Sequence, residues 1–191
     1  MMNILRRAKT INTKEKSNFN DNFILGKDET LLPKFTRIFG TKYSVNVYYL
    51  RVQKPELNLT NSCINIHLPM SFRKQNNQDL LDVILLKMYT TIAEKEIENV
   101  MEKARHTFGF APEDYEIKKM KSTLAHFDNN SQSILINPYI VMYAKEIVEY
   151  VVFHQFCHLK YKTHSKKFYE MLKKYVPNYE TLARQLPNLK Y

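Results

Sequence analysis

Cysteine is scarce in this chain. Cys63 and Cys157 are the only two among 191 residues, so at most one bridge could form and a disulfide framework is excluded. No apolar run approaches the ~20 residues that a membrane-spanning helix needs, and the opening MMNILRRAKTINTKEK lacks the apolar centre of an export signal. These absences predict a cytoplasmic protein with reduced thiols and no membrane contact. Tryptophan is missing altogether, and there is no internal repeat or low-complexity tract. Acid is short too: 19 Asp and Glu face 29 Lys and Arg, a net charge of +10. A basic surface attracts nucleic acid, acidic protein or anionic lipid. Lysine is nevertheless spread along the whole chain, and with abundant Asn and Tyr a biased genome composition accounts for much of the charge equally well.

What is present suits one globular domain, with 44% hydrophobic and 25% charged residues. Residues 1–38 mix basic and polar residues without periodicity and read as an N-terminal segment, a loosely held arm; residues 39–191 carry the domain. Tyr43, Val45, Val47 and Tyr49 alternate, as do Ile64, Ile66 and Leu68, and the turn-rich KPELNLTNS between them predicts an antiparallel strand pair. From Asn76 to Phe108 apolar residues recur at three and four residue intervals. That marks a long helix, capped by Asn76 or Asn77 at its start and Gly109 at its end. Tyr115 and Ile117 suggest another strand, and Ser133 to Asn137, after the turn at 128–131, one more. A helix from near Ala144 buries most of its sides, and two shorter helices end at Pro177 and Pro187. The expectation is an α+β fold: a small antiparallel or mixed sheet packed on the long helix and on the helix near Ala144, with a helical C-terminus.

That second helix carries VVFHQFCHLKYKTH, residues 151–164. His154 and His158 are one helical turn apart and project from one face, and His164 follows after enough chain to turn and deliver a third nitrogen. Three imidazoles and one open position match a zinc site, so His154, His158 and His164 are the candidate ligands for Zn2+. Gln155 breaks the H-E-x-x-H pattern. There a glutamate takes a proton from zinc-bound water and later delivers it to the leaving amine, and an amide can do neither. Cys157 is set aside as a ligand, because a free cysteine between two such histidines more commonly faces the core.

The stretch EYVVFHQFCHLKYKTHSKKFYEMLKKYVPNY resembles the signature of YgjP-like zinc metallopeptidases, relatives of the SprT and WLM groups. The likeness extends upstream through ILINP, IKKMKS, ARHTFGF, INIHLP and FGTKYSVNV, so it runs from about Phe39 to Leu186. The resemblance implies a zincin-like single domain that hydrolyses a peptide or protein substrate with zinc-activated water. It also makes Ser133 to Asn137 an edge strand, with Ile134, Leu135 and Ile136 pairing to an extended peptide. Where the family has W-G-S-C this chain has Leu124-Ala125-His126-Phe127, and Phe168-Tyr169 replaces F-W. With Gln155 these departures describe a diverged member, impaired or inactive as written; a glutamine introduced to trap an inactive form would explain position 155 but not the lost W-G-S-C.

His126 lies just before the presumed edge strand and could approach the metal or a substrate oxyanion, although an exposed loop histidine is the plainer reading. The alternative function is a zinc-stabilised basic module for nucleic acid or an acidic protein partner. The related SprT group acts on proteins attached to DNA. Nothing in the residues speaks to oligomeric state.

Overall fold

The computed structural model describes residues 35–186. The N-terminal arm up to Lys34 lies outside them, and the last four positions assigned to it, Phe35–Ile38, form strand β1 of the domain. β1 turns through Phe39 and Gly40, both at positive φ (49° and 79°), into β2, Thr41–Leu50. Two successive left-handed residues make the tight hairpin whose twist suits antiparallel strands. The amides of Phe39 and Gly40 donate to the carbonyls of Val141 and Met142, tying this hairpin to the chain that enters the helix of His154 and His158.

β2 does not pair antiparallel with the next apolar run. That run, β4 (Cys63–Pro69), lies parallel to β2, with Val45 opposite Ile64 and Tyr49 opposite Leu68. The cause is β3, Glu56–Leu59, inside the stretch expected to be only turn. Leu57 and Leu59 face Ile66 and Ile64 across an antiparallel ladder. β3 therefore takes the antiparallel place, and β4 returns in the direction of β2 between the two. The order of this sheet is β1-β2-β4-β3. Its inward residues Ile64, Ile66 and Leu68 are fully buried.

Helix α1, Gln78–Phe108, matches its expected bounds and ends at Gly109, whose φ of 77° forms a left-handed cap. A second sheet then follows, so the single sheet expected is in fact two. Its strands are β5 (Asp114–Ile117), β6 (Ala125–Asp128) and β7 (Ser133–Ile136), in the order β5-β7-β6. β7 is parallel to β5 and antiparallel to β6. Asn137, 5% exposed, closes this sheet: its side-chain amide donates to the carbonyls of Met120 and Thr123 at 2.9 and 3.0 Å, and its Oδ1 accepts from the Tyr139 amide.

A 3₁₀ turn at Pro138–Met142 leads into α2, Lys145–Lys160. Val148, Val151, Val152, Phe156 and Cys157 of α2 are all fully buried, each large side chain worth about 1.5–3 kcal/mol of transfer from water. Lys145–Glu96 and Lys103–Glu149 ion pairs, at 2.7 and 2.6 Å, brace α2 against α1. Ser165 caps α3 (Lys166–Tyr175) by accepting from the Phe168 amide, and α4 (Tyr179–Arg184) completes the described fold. The α+β class and helical C-terminus stand as expected. No described helix is long and apolar enough to cross a membrane.

Candidate metal centre

The centre is built on α2 because two residues four apart on a helix share a face. His154 and His158 meet with ring centroids 5.0 Å apart. Their helix stops at Tyr161, and the short loop before α3 brings His164 back over them, 4.9 Å from His154 and 4.8 Å from His158. Their candidate ligand atoms all lie within 4.8 Å of one another, with His154 Nε2 and His164 Nε2 at 2.9 Å. Imidazoles bound tetrahedrally to zinc at 2.0–2.1 Å put their nitrogens about 3.3 Å apart, so the donor set fits a divalent ion.

The surroundings fix the rings and hold them neutral. His158 Nδ1 lies 3.1 Å from the Tyr161 carbonyl, which accepts its proton and leaves Nε2 with a free lone pair. Phe168, fully buried on α3, packs within 4.7–4.9 Å of all three imidazoles. Burial pushes the His154 imidazolium down to about 3, with His158 and His164 adding to the fall. His158 is lowered chiefly by burial, against the opposing hydrogen bond to Tyr161. His164, although on the accessible loop, is lowered by the desolvation its ring undergoes beside Phe168. Neutral imidazole is the form that binds metal.

A cavity of about 370 Å³ opens above these rings, lined by His126, Phe127, Asn129, Gln155, His158, Lys162, Thr163 and His164. Gln155 forms its floor at 1% exposure, and its Nε2 has no hydrogen-bond partner. A buried donor left so costs about 1–3 kcal/mol, which an oxygen held in the cavity would recover. Among the described residues no carboxylate lines the cavity.

The domain model for YgjP-like metallopeptidases matches residues 4–189. The chain belongs to the YgjP-like metallopeptidase family. No curated protein sequence matches it. Among solved structures, this YgjP-like chain is similar to the metallopeptidase zymogen of Pyrococcus abyssi abylysin, with 22% identity over 47% of this chain and 90% of that one, at a TM-score of 0.44. It is similar also to the zymogen of Methanocaldococcus jannaschii jannalysin, with 24% identity over 48% and 90% of the two chains, at a TM-score of 0.42.

Two expectations for this YgjP-like domain need correction. Ile134, Leu135 and Ile136 are not on an edge: β7 is the middle strand, and both of its ladders are taken by β5 and β6. Ile134 and Ile136 are fully buried besides. The edge strand beside the cavity is β6, and His126 sits on it and not in a loop. Pattern reading passed over β6 because a four-residue strand with only Ala125 and Phe127 facing inward leaves too little alternation to see. Cys157 is fully buried and its thiol is pushed up to about 12 by burial, so it serves the core. Lys162 and Thr163 were missed, although their place between two candidate ligand histidines pointed to them.

Proposed function

We propose that this metallopeptidase-family domain binds zinc through His154, His158 and His164 and receives an extended peptide along β6. Its capacity to hydrolyse that peptide is impaired or lost while Gln155 stands where the family pattern has glutamate. Among the described residues no carboxylate lines the cavity, and that carries this reading. A zinc ion there would polarise a peptide carbonyl and acidify a water. The chain's own residues supply the remainder. β6 pairs only with β7 among the described residues, so its outer main-chain groups can bond a peptide strand. Gln155 Nε2 can donate to an oxygen in the cavity, but its amide accepts no proton at neutral pH. His126 faces the same cavity and can donate to a carbonyl oxygen.

The test is metal content by mass spectrometry followed by peptide hydrolysis on the same sample. About one zinc per chain, lost in His158→Ala, supports the site. Hydrolysis in Gln155→Glu exceeding that of the native sequence by roughly 10²–10⁴ supports the role of position 155. Absence of stoichiometric zinc, or equal hydrolysis by both forms, overturns the proposal.

A further inference from the structure

Residues 160–174 carry Lys160, Lys162, Lys166, Lys167, Lys173 and Lys174 against the single acid Glu170. Six minus one is +5, half of the chain's +10 concentrated in fifteen residues. All six lysines are exposed, and the segment includes the loop that delivers His164. Lys162 itself lines the metal cavity, and among the described residues no carboxylate pairs with it. Its backbone is not free to swing away. On one side the Tyr161 amide donates to Cys157 and the Tyr161 carbonyl accepts from His158. On the other the Ser165 amide donates to the Thr163 carbonyl at 2.7 Å and Ser165 caps α3. The same hydrogen bonds that place the ligand histidines therefore place an uncompensated cation at the cavity's lip.

We propose that the metal site selects acidic polypeptide, with Lys162 reading a carboxylate of the bound segment and the neighbouring lysines supplying the attractive field. This deepens the function proposed above and rests on it. A basic side chain at that position would meet Lys162 with no acid among the described lining residues to offset the repulsion, whereas a Glu or Asp completes an ion pair there. Polypeptide is favoured over nucleic acid because Lys162 shares the cavity lining with His126 and Phe127 of the edge strand β6, and a strand edge recognises a peptide main chain and has no counterpart in a phosphate backbone.

The experiment uses the full zinc-loaded chain and three fluorescein-labelled octapeptides identical except for a central Glu-Glu, Gln-Gln or Lys-Lys, titrated by anisotropy at low and high salt. Glu-Glu should bind about 5- to 10-fold more tightly than Gln-Gln, with Lys-Lys weakest and the differences shrinking at high salt. Lys162→Gln should erase most of the Glu-Glu advantage, and Lys162→Glu should reverse the order. Equal affinities for the three, no binding by any, or displacement of Glu-Glu by an oligonucleotide at far lower charge concentration would overturn the inference. Zinc measured on the same samples separates the two ideas. Full zinc with no charge preference refutes this inference alone, and acidic preference without zinc supports it while refuting the metal site beneath it.

Discussion

Taking the metal-free protein from about pH 7.5 to about pH 5 in the presence of a chelator should lower its unfolding free energy by about 2 kcal/mol through His154 alone. The sign follows from where protons bind. His154 is held at about 3 in the fold, chiefly by burial, against 6.5 for an ordinary imidazole. Between those values the unfolded chain takes up a proton that the folded one refuses, so stability is complete above about 6.5 and is lost as pH falls. At pH 5 the unfolded imidazole lies about 1.5 units above the solution pH, worth about 2 kcal/mol at roughly 1.36 kcal/mol per unit. His158 and His164 shift in the same direction and add to the loss. The assay is urea unfolding followed by circular dichroism at both pH values, with His154→Gln as the control that should reduce the dependence, leaving the part due to His158 and His164. Unchanged stability of the native sequence between the two pH values would refute the packing described for the three imidazoles. Added zinc should raise stability at pH 7.5 by about 4 kcal/mol at a thousandfold excess over its dissociation constant, and by less at pH 5, where protons compete for the same nitrogens.

Phe168→Ala removes the wall shared by three imidazoles as well as a fully buried ring, and should cost about 3–5 kcal/mol in denaturant unfolding together with a fall in zinc affinity measured by chelator competition. Phe168→Leu keeps most of the volume and should recover stability. Asn137→Ala strips two half-buried carbonyls of a donor and should lower stability by about 1–3 kcal/mol in the same assay, without changing zinc stoichiometry.

The cluster of three histidines was legible because it is local. His154, His158 and His164 announce themselves by spacing, and α1 and α2 by their long periodic apolar faces. What escaped depended on partners distant in the chain. Leu57 and Leu59 become a strand only because Ile66 and Ile64 lie opposite, and that pairing is what turned β4 parallel to β2. β6 likewise exists by virtue of β7, and the true edge of the second sheet could be found only once β5 was seen to occupy the other side of β7. Phe35–Ile38 carry just two inward residues, Thr36 and Ile38, too few to separate from the preceding basic segment. Lys162 shows a different blind spot, since an exposed lysine in a lysine-rich chain stands out only when the cavity beside it is known.

The three candidate ligand histidines span eleven consecutive residues, and this brevity reaches beyond the native state. Bringing His154 and His164 together in an otherwise disordered chain closes a loop of about ten residues, at an entropic cost of only about 2 kcal/mol plus a constant. An unfolded or newly synthesised chain can therefore already hold a divalent ion weakly through the same imidazoles. Part of the stabilisation that metal gives the fold is then returned, because the ion is no longer exclusive to the native state. At rising zinc concentration the melting temperature levels off, at the point where the folded and unfolded chains differ only in how well Phe168 and the Tyr161 carbonyl hold the rings in place.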